Sequence, residues 1–205
     1  MIANMTRSIG VQKLRDFYDR KEGAAIYQEE FGFYSLERWK KEGFIKEGER
    51  LSKIFGFDEG GKFCLGQLGW CEASFSPKFK EEILEDRGAH ELVKDWAGRH
   101  VLCFKGRRNG FMPEYVDHPV KDWKTWEQDV KWRLDPRTSE RVNKLENRMT
   151  IAKENAHKGM VICQNLVGGF MYLRALIGPE GGLYMVYDEP QLIHDCMKTW
   201  FQLAD

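Results

Sequence analysis

Neither sign of charge is in excess in this chain, where 32 Lys and Arg side chains balance 32 Asp and Glu. No basic stripe is visible, which argues against an electrostatic footprint for nucleic acid. Long apolar runs are also missing. The longest, such as Gly159 to Val167, fall far short of a bilayer-spanning helix, and the N-terminus carries no charged-then-apolar signal pattern. These absences lead to the expectation of a cytoplasmic protein with no membrane partner. The cysteines Cys64, Cys71, Cys103, Cys163 and Cys196 are odd in number and widely spaced, so they build no disulfide framework and are expected reduced. Metal-ligand spacings come close only twice. His100 with Cys103 and His194 with Cys196 are near misses, since neither has a second ligand pair at a usable distance. The second pair lies in a predicted helix, where residues two apart point about 200° apart around the axis. No metal site is assigned to this chain.

What is present is a core. A hydrophobic content of 42% and an aromatic content of 13% suffice for one or two globular units. The densest signal is Asp117 to Pro136. His118-Pro119 must run extended, because a residue before proline is pushed out of the helical region, and Asp122 can cap a helix starting just after it. A helix from about Trp123 to Arg133 is predicted, with Trp123, Trp126, Val130 and Leu134 on one face. Trp123, Trp126 and Trp132 are expected to anchor it against a neighbouring sheet.

This passage, His118-Pro119-Val120-Lys121-Asp122-Trp123 through Leu134-Asp135-Pro136, resembles the uroporphyrinogen decarboxylase-like superfamily. An earlier aromatic passage, Phe31 to Gly43 with Trp39, resembles it as well. The similarity is to the divergent, corrinoid-linked methyltransferase branch and runs from about Tyr27 onward. It implies an α/β fold, the N-terminal portion of a (β/α)₈ TIM barrel. Such a barrel takes about 250 residues, so the portion here is incomplete. It implies zinc and corrinoid in a completed enzyme, though none bound by this chain alone. The expected partners are a C-terminal half-barrel chain and a corrinoid protein.

Along the chain, residues 1–158 are expected to form an α+β region and residues 159–205 a first βα unit with further helices. Ser8 to Gly23 reads as a helix with Ile9, Val11, Leu14, Phe17 and Tyr18 toward one side. Short helices come next, near Leu36 to Lys41 and Glu49 to Phe55, stopped by Gly43 and Gly56. From 62 to 114 the pattern predicts an antiparallel meander of strands at Phe63 to Trp70, Lys80 to Leu84, His90 to Asp95 and His100 to Lys105. Turns at Asp86-Arg87-Gly88 and Ala97-Gly98-Arg99 join the last three, and Arg107-Arg108-Asn109-Gly110 makes another. Thr138 or Ser139 caps a long helix carrying Val142, Leu145, Met149 and Ala152, ended by Gly159. Met160 to Val167 reads as a strand buried on both faces. Helices from Phe170, Pro179 and Pro190 complete the pattern. The last presents Leu192, Ile193, Cys196, Met197, Trp200 and Phe201 with nothing expected to cover them, so self-association through it is a further expectation.

Candidate site residues come from strand polarity. Asn165, Gly168, Gly169 and Phe170 stand where a parallel strand ends, and Asn165 could hydrogen-bond a substrate while the glycines admit backbone close to it. The glycines could equally make only a tight turn. Phe31, Phe33 and Tyr34 are candidates for an aromatic wall, as the resemblance implies, or for plain core. Catalytic residues are not identified. Uroporphyrinogen decarboxylation itself is disfavoured, because Glu29 and Glu30 stand where arginines would hold that polycarboxylate. A non-catalytic, oligomerising scaffold remains open beside the methyltransferase reading.

Overall fold

A computed structural model of the chain describes residues 9–26, 35–58, 60–106 and 113–205. Two compact units are present, one of residues 1–65 and 148–163 and the other of residues 66–147 and 164–205. The first contains α1 (Ile9–Tyr18), α2 (Ser35–Lys41) and α3 (Leu51–Phe55). Val11 and Leu14 are buried along α1, while Phe17 and Tyr18 are exposed, so its buried side is narrower than expected. Gly56 ends α3 in the left-handed conformation, as its position predicts. Lys13 pairs with Asp58 at 2.9 Å. Gly61 lies so close to the Gly10 backbone that a side chain would stand 2.9 Å from its carbonyl oxygen.

The strands are β1 (Lys62–Leu68), β2 (Glu82–Arg87), β3 (His90–Lys94), β4 (His100–Phe104), β5 (Glu114–Asp117) and β6 (Val161–Leu166). They make a four-stranded antiparallel sheet, β2-β3-β4-β5, and a two-stranded sheet, β1-β6. The smaller sheet is parallel, since the Val161 amide donates to the Gly61 carbonyl and the Val167 amide to that of Leu68. No barrel is formed among the described residues, and the barrel portion expected from the resemblance is corrected to a mixed α/β fold. The reason is β1. Local pattern places its apolar run in the meander, yet it pairs with a strand about a hundred residues away, and no third strand among the described residues joins them. β6 is also only half-buried and is exposed at Asn165 and Leu166, rather than covered on both faces.

The meander itself obeys its turn chemistry. Gly88 and Gly98 both take positive φ at the predicted hairpin turns, and the register pairs Arg87 with His90 and Lys94 with His100. Val93, Val101 and Cys103 form a small apolar cluster on one face. Edge strand β2 is exposed throughout, and its Glu82, Glu85, Asp86 and Arg87 discourage pairing with another sheet edge. The expected turn at 107–110, with Arg107 and Arg108, lies outside the described residues.

Asp122 caps the next helix in a reciprocal capping box with Thr125. The expected single helix is instead three turns: α4 (Trp123–Thr125), a π turn Trp126–Val130 and a 3₁₀ turn Lys131–Leu134. In the widened turn the Lys131 amide reaches back to the Trp126 carbonyl. Trp126, Val130 and Leu134 are all 0% exposed, whereas Trp123 and Trp132 are partly solvated, so one tryptophan anchors this segment and not all of them. Next comes α5 (Ser139–His157), with only Ala152 of its apolar stripe buried.

α6 (Gly169–Ile177), α7 (Pro179–Asp188) and α8 (Pro190–Ala204) complete the chain, the last two with proline in the first turn, where a missing amide costs nothing. The main core joins Trp126, Val130 and Leu134 to Tyr172 and Leu176 of α6 and to Leu192, Ile193, Cys196 and Leu203 of α8. The apolar face of α8 is therefore largely covered within the chain, which corrects the expectation of an open stripe; Phe201 alone of that set stays exposed. The Trp126 indole donates to Asp195 at 2.7 Å, and the Tyr172 hydroxyl donates to the Cys196 carbonyl at 3.1 Å. Lys131 also pairs with Asp195. We expect Trp126→Ala to lose about 3–5 kcal/mol of stability, the range for removing a buried aromatic. Trp132→Ala should lose far less, and urea denaturation of the two variants checks the contrast.

Candidate functional site

The carboxyl end of the parallel pair brings together two turns distant in sequence. After β1, Gly69 adopts φ +86°, and a side chain there would collide with the Glu72 carbonyl and with Val167. After β6, Val167 is buried, and its carbonyl accepts the Trp200 indole at 2.9 Å. Gly168 caps α6 without strain, and space for a side chain is open there. Gly169 differs, because a side chain there would meet the flexible end of Met197 at 2.9 Å. Asn165 is exposed at the strand end and Phe170 is 72% exposed. Trp70, in the adjoining turn, is exposed to the same degree. Phe31, Phe33 and Tyr34 lie outside the described residues.

Beneath the β1 turn lies a buried ionic cluster. Arg99, whose side chain is 7% exposed, donates to Glu72 at 2.9 Å and to Asp95 at 2.6 Å. Burial works against its charge, and Asp95 and Glu72 outweigh that, so its pKa is raised. The guanidinium also lies 4.7 Å over the Tyr115 ring. Asp95 spends its other capacity on the backbone amides of Ala97 and Arg99, which shapes the hairpin turn. Both carboxylates are thus engaged with one cation, which leaves the cluster one negative charge in excess. The cluster fastens the β1 turn to the meander, and neither Glu72 nor Asp95 is left free for acid or base chemistry.

Neighbouring groups are held in their neutral forms. Burial, helped by Glu72, pushes the Cys71 thiol up, while Arg174 and Arg99 oppose it. A raised thiol is a poor nucleophile. Burial likewise raises Tyr115. His118, stacked near Tyr115 with ring centroids 6.2 Å apart, is lowered by burial and by the Arg99 and Arg174 charges. It packs against Gly178, which has φ +90° and whose side chain, if present, would stand 2.7 Å from the His118 Nδ1.

No group of His, Cys, Asp and Glu able to hold a metal ion occurs among the described residues. The near misses explain themselves. On α8, Cys196 is fully buried with its thiol pushed up to about 12, chiefly by burial, while His194 is exposed. On β4, the alternation places Cys103 with Val101 on the buried face and His100 on the other. The zinc that the resemblance implies has no fitting donor set among the described residues. No described helix is long and apolar enough to cross a membrane.

No protein-family model, curated protein or solved structure matches this chain. The functional reading therefore rests on the residues themselves. Sequence reasoning located the β6 turn but missed Trp70, Glu72 and Arg99, whose association depends on partners 27 positions apart. Only the left-handed demand at Gly69 was visible in principle, as a lone glycine after an apolar run.

His118 and His100 are both lowered chiefly by burial. The unfolded chain then binds more protons than the native one, so the stability they contribute is present above their ordinary 6.5 and is lost as pH falls from there through their lower native values. We expect thermal stability to decline as pH is lowered from about 8 to about 5. The decline should be smaller in His118→Asn, measured by circular dichroism melting at each pH.

Proposed function

We propose that this chain is a cytoplasmic member of the uroporphyrinogen decarboxylase-like superfamily, on its methyltransferase-like branch. With a C-terminal partner polypeptide, it moves a methyl group to or from a corrinoid. The passages from Phe31 to Gly43 and from Asp117 to Pro136 support the family. The observation that carries the need for a partner is uncovered apolar surface on α7 and at the start of α6. α7 has no buried residue and presents Leu183, Tyr184, Val186 and Tyr187 to solvent, with Phe170 exposed on α6. Apolar surface of this kind marks an interface. Among the described residues the parallel sheet has two strands, fewer than ordinarily accompany such pairing.

In this reading Asn165 and the turn through Gly168 and Phe170 contribute one wall of a shared site. The methylated corrinoid is a substrate, and any zinc is held by the partner's own ligands. Decarboxylation finds less support, since Glu29 and Glu30 oppose a polycarboxylate. A second reading, a non-catalytic scaffold that assembles copies of itself, draws on the same face of α7.

Co-expression with the open reading frame immediately downstream, combined with native mass measurement and an absorbance assay for methylcobalamin demethylation, tests these readings. We expect a stable complex that demethylates and a lone chain that does not. Leu183→Asp with Tyr187→Asp should abolish the complex while leaving the circular dichroism spectrum unchanged. A homo-oligomer that these substitutions dissolve, with no hetero-complex, would move the conclusion to the scaffold; a monomer that binds nothing would overturn both.

A further inference from the structure

The second unit holds a cleft of about 480 Å³ between the β1 turn, the segment from Ser74 to Lys78 and the start of α5. That size suits a small molecule. Its charged lining is unbalanced in a specific way. Glu72 is committed to Arg99 at 2.9 Å, and Glu140 accepts the Ser76 hydroxyl at 2.5 Å. The cations have no such commitments among the described residues. Arg141 directs its terminal nitrogens to neutral acceptors only, namely the Ser74 hydroxyl at 3.3 Å, the Ser74 carbonyl and the Arg133 carbonyl at 3.0 Å. Among the described residues it has no carboxylate within ion-pair distance, although it is partly buried and its Nε is buried without a hydrogen-bond acceptor. Burial accordingly holds its pKa below the ordinary value, with Glu140 and Asp135 opposing.

Lys144 stands three residues further along α5, on the same side of the helix as Arg141. Lys78 approaches from a different segment, with its ammonium 4.5 Å from the centre of the Trp96 ring. Cations from two parts of the chain thus converge on one cleft, three of them against Glu140 and a Glu72 already paired with Arg99, so the lining carries an excess of positive charge. The remaining conspicuous lining group is Trp70, whose indole is 72% exposed at the cleft wall. An exposed indole in a concave site offers a flat apolar surface against which another ring can stack.

We propose that this cleft binds a planar aromatic ring carrying one anionic group, the ring against Trp70 and the anion between Arg141, Lys144 and Lys78. The site is independent of the methyl-transfer reading, because all of these residues belong to this chain and no corrinoid or partner enters the argument. Polar and apolar contacts are both required. A ring without charge would leave the cations unanswered, and an anion without a ring would leave the indole in water.

The test is titration of the full chain with 2-naphthoate and with 1-naphthyl phosphate, read by quenching of tryptophan fluorescence and by calorimetry. 2-Naphthamide, cyclohexanecarboxylate and inorganic phosphate serve as the uncharged, non-aromatic and ring-free probes. Saturable binding of either naphthyl anion is expected, with roughly tenfold or greater weakening in Lys144→Gln and in Arg141→Gln, as the loss of a charge-assisted hydrogen bond gives. Trp70→Leu, an exposed position that leaves the core intact, should weaken both anions while leaving the far-ultraviolet spectrum unchanged. Which of the two anions binds more tightly distinguishes a carboxylate from a phosphate ligand, and either supports the site. Failure of both to saturate would overturn the proposal, as would unchanged affinity in Lys144→Gln and Trp70→Leu or equal affinity for the ring-free or uncharged probes.

Discussion

Val167 is the residue on which the second unit turns. Its amide closes the last hydrogen bond to β1 at Leu68, its carbonyl receives the Trp200 indole from α8, and its side chain fills the space that Gly69 leaves open. Three separate parts of the chain are thereby set against one buried backbone position. Because buried amides and carbonyls must be paired, each of these bonds is strongly constrained. The turn after β1, the start of α6 and the middle of α8 consequently meet, and the candidate surface of Asn165, Phe170 and Trp70 is a by-product of that meeting.

Two arginines show how partner chemistry separates a structural charge from an available one. Arg99 is buried deeply and answered by two carboxylates, so its energy goes into fastening the meander to the β1 turn. Arg141 is half-buried and answered only by hydroxyl and carbonyl oxygens. Dipoles solvate a guanidinium without cancelling its charge. The same contrast holds among apolar groups. Trp126 is sealed in the core with its indole nitrogen on Asp195, while Trp70 keeps its rings in water. Asp195 repeats the balance on the acidic side: burial pushes its carboxyl up, and Lys131 with Trp126 more than offsets this, holding it below its ordinary value of 3.8.

Local features were legible from residues alone. Asp122 caps its helix, Gly88 and Gly98 make their turns, Gly56 ends α3, and Pro179 and Pro190 open α7 and α8. Each depends on a backbone preference or a side chain within a few positions, so sequence order is enough to read it. The π turn at Trp126 was not legible, although its residues were. A spacing of four residues fits an ordinary helix as well, and Trp126, Val130 and Leu134 share one core with α6 and α8 in either case.

The amino-acid sequence by itself determined most of the elements, several of their caps and turns, and the balance of charge that disfavours a nucleic-acid surface. Tertiary structure decided which elements meet. An apolar run such as Phe63 to Leu68 has the same local appearance in a meander and in a parallel pair, because pairing direction is set by a strand far along the chain. Coverage of α8 was equally invisible, since its apolar face and the row at Trp126, Val130 and Leu134 are complementary only once both are folded. The cleft beside Arg141 belongs to the same class. Its cations are ordinary surface residues in sequence, and only the fold brings Lys78 and Trp70 to the start of α5, where Arg141 and Lys144 stand.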